Sequence, residues 1–280
     1  MILKIIKNMY FFICQILTFS YFFDNIKWNL SSLTQILKDF GGFIVKKIFM
    51  FIFTISLFFG ICAFGTNAQT LPQPLRGMDV SKWNGDIVWV TVKNSGAIDF
   101  AILRTSYGWS NREKQTDRKL RRNIDGAKSV GIPIGAYHYS YATNPTEAIW
   151  EADFFIDRLK WTQWEYPAYI DLEDKCQLKL SNEQRTDIAV TFMERVKSAG
   201  YCPGIYSNLD WTRNKLNMDR LAGYELWIAQ WNTHCSCERP YGIWQHTSSG
   251  SVPGINGRVD LDFAYKDYPS YMRNNHLNGF

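Results

Sequence analysis

The 280-residue sequence predicts an α/β fold, an irregular barrel of eight strands and five helices. Three observations predict it. From Leu75 onward short apolar runs alternate with helix-length amphipathic stretches, the rhythm of a parallel sheet with crossover helices. After Leu226 the helical stretches stop, and the last runs follow one another through turns rich in Gly, Ser and Pro, such as Ser248–Gly257. Acids, amides and aromatics collect at the carboxyl ends of the runs, where a barrel of this kind gathers its functional groups.

Taken in order, strand Arg76–Val80 is followed by helix Ile87–Lys93, and strand Phe100–Ser106 by helix Asp117–Ser129. Strand Pro133–Ser140 leads to helix Pro145–Leu159, and strand Pro167–Leu172 to helix Asn182–Ala199. The last of these helices has the clearest signals. Ser181 is the N-cap, Gln184 stands at the capping-box position, Ile188, Phe192 and Val196 share one face, and Gly200 stops it. Strand Gly204–Ser207 and helix Leu209–Asn217 complete the alternating part. Strands Leu226–Gln230, Ile243–His246 and Val259–Phe263 complete the set.

Residues 1–68 differ in class from the rest. They hold two apolar runs, near Met9–Phe23 and Ile48–Phe64, and carry +4 of the formal net charge of +5. The second run has the parts of a signal peptide: Lys46-Lys47, an apolar centre, and the small-residue site Thr66-Asn67-Ala68 before Gln69. If both runs crossed a membrane as a hairpin, Lys46 and Lys47 would lie outside, against their preference for the cytoplasmic side. Translation from Val45 removes the conflict, leaving 1–44 untranslated and about 45–68 as the signal. The expected organisation is then a 69–74 linker, a 75–268 catalytic barrel and a 269–280 tail. Export to the periplasm or the extracellular space follows, with membrane attachment only through the N-terminal segment if it is uncleaved.

The remaining +1 leaves the working domain nearly neutral. It has no basic stripe interleaved with aromatics, so nucleic acid is not expected as a partner. Cys176, Cys202, Cys235 and Cys237 fall in the exported part and permit two disulfides, with three pairings open. His234 with Cys235-Ser236-Cys237 lacks the usual zinc spacing, so neither a metal nor another cofactor is expected.

The most informative acids are Asp171 and Glu173. On a strand alternate side chains share a face, so the two point the same way with Leu172 opposed. Strand rise separates their Cα atoms by about 6.5–7 Å. Side-chain freedom brings the carboxyls into the roughly 5–9 Å range that glycosidases use. A lone Asp-x-Glu is more often a solvated turn. The strand ends supply the context: Asp79, Tyr107, His138 with Tyr139, Tyr206, Gln230 with Trp231, Gln245, and Asp260 with Asp262 converge on one mouth. Aromatic faces hold sugar rings, amides bind hydroxyl or acetamido groups, and clustered carboxylates raise one another's pKa so that one serves as an acid at neutral pH.

Seven blocks in this order resemble glycoside hydrolase family 25, the Chalaropsis-type lysozymes. They are Gly77-Met78-Asp79-Val80-Ser81, Phe100-Ala101-Ile102-Leu103-Arg104, Gly135-Ala136-Tyr137-His138-Tyr139, Tyr169-Ile170-Asp171-Leu172-Glu173, Gly204-Ile205-Tyr206-Ser207-Asn208, Leu226-Trp227-Ile228-Ala229-Gln230-Trp231 and Trp244-Gln245-His246. The resemblance runs from about Leu75 to Tyr265. It implies an irregular TIM-like (β/α)5(β)3 barrel and hydrolysis of the β-1,4 bond from N-acetylmuramic acid to N-acetylglucosamine in peptidoglycan strands, by a monomer. It implies that Glu173 is the general acid, that Asp171 assists the substrate's acetamido group, and that Asp79 positions the sugar or tunes the other acids. Asp260 is the last-strand acid in preference to Asp262, where relatives often carry Asn.

Tyr107, His138, Tyr139, Tyr206, Gln230, Trp231 and Gln245 are the expected substrate-binding residues. Tyr137 is assigned to the barrel wall, Trp227 to the core, and Trp89, Trp150, Trp161 and Trp164 to packing. A silent glycan-binding barrel is the alternative, but it has no need of both Asp171 and Glu173. A metal-dependent deacetylase needs a paired His-x-x-x-His, and a chitinase-like enzyme a longer D-x-x-D-x-D-x-E run; neither is present.

Overall fold

A computed structural model describes residues 69–280; residues 1–68, with the expected signal peptide and alternative start, lie outside the described residues. The strands are β1 (Thr70–Val80), β2 (Phe100–Tyr107), β3 (Ile134–Tyr139), β4 (Ala168–Asp171), β5 (Pro203–Asn208), β6 (Glu225–Ala229), β7 (Ile243–Gly250) and β8 (Val259–Lys266). They pair in sequence order and close into one barrel. Neighbours from β1 to β7 run parallel, whereas β8 is antiparallel to both β7 and β1. That reversal explains why β8 presents its first residues, not its last, to the mouth shared by the carboxyl ends of the other strands.

The five expected helices occur as α1 (Trp89–Ser95), α3 (Leu120–Ser129), α4 (Pro145–Leu159), α5 (Asn182–Ser198) and α6 (Leu209–Asn214). The Ser181–Gln184 capping box forms as the sequence predicts. Two further helices appear. The single turn α2 (Arg112–Gln115) is too short to leave a periodic signal, and α7 (Tyr268–Asn274) occupies the first half of the expected tail. Asp267 caps α7 with Pro269 in its first turn, and Tyr268 and Met272 are buried in the barrel's inner cluster. The expected linker is likewise structured: Thr70 pairs with Lys266, and the Asp267 N–H bonds the Gln69 carbonyl at 2.8 Å.

Strand alternation builds two cores. Inside the barrel lie Phe100, Ile102, Tyr137, Tyr169, Tyr206 and Trp227. Met78, Ala101, Leu103, Ile170, Leu172 and Ile228 face outward against the helices, where Phe155, Ile188 and Phe192 meet them. Gly77 is required by this packing, since a Cβ there would sit 2.1 Å from the Phe100 ring. The barrel interior is therefore filled, and only its upper end is open to chemistry.

Candidate active site

Asp171 ends β4 pointing into the barrel, and Glu173 follows it on the same side, with Leu172 buried in the outer core between them. The chain holds this course because the Leu172 N–H still bonds the Tyr206 carbonyl of β5, at 3.4 Å. Asp79 near the end of β1 is paired in register with Asp260 of β8. Gln245 on β7 donates to Asp79 Oδ2 at 2.7 Å and accepts at Oε1 from the Tyr206 hydroxyl at 3.1 Å and the Trp231 indole at 3.0 Å. Three strands and the segment just beyond β6 thus tie the first acid, an amide and two aromatics into one unit.

Desolvation dominates the electrostatics of this cluster. Burial raises Asp171 well above the ordinary carboxylate range, helped by the Glu173 charge and opposed by Arg104. Burial also raises Asp79, followed by repulsion from Asp262 and Asp260, with the Gln245 hydrogen bond acting against it. Glu173 is raised by burial, lowered by a hydrogen bond from Asn208, and raised again by Asp260 and Asp174. Each of the three carboxyls therefore holds its proton to higher pH than an exposed acid does. Asp171 Oδ1 is buried with no hydrogen-bond partner in the protein.

Glu173 itself faces a cleft of about 360 Å³ lined also by Tyr206, Asn208, Leu209, Gln230 and Trp231. Trp231 is 64% exposed, so its face is available to a ligand. The Gln230 side chain is held by the Ser236 backbone N–H at 2.7 Å and donates to the Ser236 hydroxyl at 2.9 Å, fixing the loop beyond β6. Across the mouth Tyr139 donates to Asp174 at 3.1 Å, and the Tyr107 hydroxyl donates to the Lys114 carbonyl at 2.9 Å.

One expected residue is not in the mouth. His138 is fully buried outside the barrel, its Nδ1 2.8 Å from the Ser106 hydroxyl and its Nε2 3.5 Å from Glu151, among Phe154, Phe155 and Phe192. Alternation decides this: with Tyr139 inward, His138 must face the helices and Tyr137 must face in. Tyr137 accordingly packs in the barrel interior against Trp227, at 5.9 Å between ring centres. Trp89, Trp164 and Trp227 are buried as expected, but Trp150 and Trp161 are 45% and 37% exposed.

Asp262, which the sequence placed at the mouth but ranked behind Asp260, lies one inward position below it and accepts from the Trp227 indole at 2.8 Å. The two-residue period from Asp260 carried that signal. Sequence reasoning placed Asn208 at the end of its strand without giving it a role and did not single out Arg104 as a site residue; they act on Glu173 and Asp171 respectively. Cys176, Cys202, Cys235 and Cys237 are all free thiols, so the two permitted disulfides are not formed. Among the described residues no cluster of three or more His, Cys, Asp or Glu side chains is arranged to hold a metal.

The profile of the family described as glycosyl hydrolases family 25 matches residues 78–255. The uncharacterised protein YegX of Escherichia coli strain K12 is 30% identical over 198 residues, covering 67% of this chain and 68% of YegX. The autolytic lysozyme of Clostridium acetobutylicum is 28% identical over 189 residues, 67% of this chain and 55% of that protein. Among solved structures, the modular autolysin LytC of Streptococcus pneumoniae, in complex with a synthetic peptidoglycan ligand, is similar with a TM-score of 0.62 at 29% identity. The match covers 69% of this chain and 47% of LytC, so the chain spans about half of that protein's length. A lysozyme from Streptomyces coelicolor shares the fold with a TM-score of 0.63 at 24% identity, over 74% of this chain and 99% of that structure.

Proposed function

The chain belongs to glycosyl hydrolase family 25 and is a glycoside hydrolase, and from that premise we propose that it is a lysozyme cleaving the bond from N-acetylmuramic acid to N-acetylglucosamine in peptidoglycan. The observation that carries the reading is the pairing of a desolvated Glu173 with a buried Asp171 whose Oδ1 lacks a partner, at one end of an open cleft.

Glycosidic cleavage needs a proton for the leaving oxygen and electron density for the developing oxocarbenium ion. Glu173 supplies the proton, since burial and neighbouring acids keep it protonated to higher pH than an exposed Glu. Asp171 serves the other end. Its carboxylate accepts from the N–H of the substrate's acetamido group, turning that group's carbonyl oxygen towards the anomeric carbon. The carbonyl oxygen forms the new bond as the glycosidic bond breaks, and water then opens the cyclic intermediate with Glu173 returned as base. Asp79, held by Gln245 and facing Asp260, adds negative charge beneath the sugar. Trp231, Tyr206 and Gln245 give the ring a face and polar edges, and Tyr107 and Tyr139 bound the opposite side. The chain works as a monomer, outside the cytoplasm after cleavage near Ala68.

Clearing of a suspension of purified peptidoglycan tests the reading. Wild-type protein lowers the turbidity, and Glu173→Gln lowers the rate on the order of 10²–10⁴ by removing the transferable proton. Full activity in that variant rules out the acid assignment.

A further inference from the structure

A closed barrel of eight strands places β2 opposite β6. The cleft beside Glu173 lies on the β5–β6 side, under Trp231. A linear polymer crossing the mouth from Trp231 therefore leaves over the ends of β2 and β3. Two neighbouring groups of aromatic rings stand there, joined along the chain from Tyr107 to Trp109. Tyr139, inward at the end of β3, lies 5.3 Å from Tyr141, and Tyr141 lies 6.4 Å from Tyr107 at the end of β2. Gly108 makes this approach possible, because a Cβ there would come 3.0 Å from the Tyr141 ring. Trp109 follows and meets Trp150 at 4.6 Å.

Tyr141 is 41% and Trp150 45% exposed, so these rings are not consumed by the core. Trp150 is on α4, whose first residue Pro145 lies just beyond β3, about 7.5 Å up the helix axis at 1.5 Å per residue. Trp109, two residues beyond the end of β2, is its aromatic neighbour. The series combines apolar faces with hydroxyls and with the Lys82 ammonium, 4.8 Å from the Tyr107 ring centre. Flat faces with polar edges match pyranose rings, which carry C–H bonds on their faces and hydroxyls at their rims.

We propose that Tyr141, Trp109 and Trp150 form an aromatic track that carries the distal sugars of the same glycan strand beyond the barrel mouth. The proposal rests on the lysozyme reading for the identity of the strand. The track makes the enzyme favour long strands over short fragments, because each ring adds contact only when a sugar reaches it.

The test compares wild-type protein with Tyr141→Ala, Trp150→Ala and Trp150→Phe on two probes, a tetrasaccharide peptidoglycan fragment and long uncrosslinked glycan strands. Loss of one ring contact reduces kcat/KM on long strands by about tenfold, with a distinctly smaller loss on the tetrasaccharide. Trp150→Phe keeps a ring and recovers most of the difference. Binding of long strands to each variant in a Glu173→Gln background separates the track from the chemistry. If wild-type protein cleaves neither probe, the lysozyme reading fails, and the binding series still decides the track. Equal losses on both probes, or long-strand binding that the alanine variants leave unchanged, overturns the proposal.

Discussion

Replacing Trp227 with Phe removes the indole N–H that bonds Asp262 Oδ1 at 2.8 Å, in a position only 1% exposed. Asp262 Oδ2 has no partner, so the variant leaves a buried carboxyl with no donor at all. A hydrogen bond to a charged group contributes about 1.5–3 kcal/mol, against about 0.5–1.5 for a neutral one. The lost ring volume, among Tyr137, Tyr169 and Tyr206, adds about 1–2 kcal/mol. The expected destabilisation is therefore about 2.5–5 kcal/mol with Asp262 ionised, shrinking by about 1–1.5 kcal/mol when it is protonated. Burial raises the Asp262 pKa, the indole lowers it, and Asp260 raises it. Without the indole the folded state holds the proton to still higher pH, so stability falls more steeply as pH rises above the ordinary carboxylate range. Urea unfolding midpoints of wild type and variant, measured from acid to neutral pH, read this directly. A difference that is constant across pH refutes the claim that the indole stabilises a carboxylate there.

Asp79→Asn keeps an oxygen acceptor for Gln245 while removing a charge whose pKa is raised by burial, Asp262 and Asp260. Because a raised carboxyl loses stability as pH rises through its titration, the variant is more stable than wild type at neutral pH by about 0.5–2 kcal/mol, and thermal melts show the gain vanishing in acid. Its peptidoglycan-clearing rate falls on the order of 10². Asn208→Ser retains an N-cap for α6 but removes the hydrogen bond that lowers the Glu173 pKa. The alkaline limb of its pH–rate profile moves upward, and an unchanged or lowered limb contradicts the assignment of Glu173 as the acid.

Much of the fold was legible because each crossover element carries a local physical signal. The Ser181–Gln184 box and the two-residue period of β4 lie in contiguous sequence, and both formed as read. His138 was misplaced because a strand-end position alone does not say which face points in; that needs the phase of the alternation, which Tyr139 fixes. Asp262 and Trp227 meet across 35 positions, a pairing set by the antiparallel return of β8 that no local pattern encodes. The tail was missed although Asp267, with Pro269 two residues on, is a helix start. The exposure of Trp150 depends on how α4 sits against the loop carrying Trp109, which is likewise a tertiary outcome.

Mass spectrometry of the fragments released from purified peptidoglycan tests the central claim most directly. A muramidase leaves the new reducing end on N-acetylmuramic acid, and that product is expected from wild-type protein and absent with Glu173→Gln. Fragments ending in reducing N-acetylglucosamine, or an undiminished product from Glu173→Gln, contradict it.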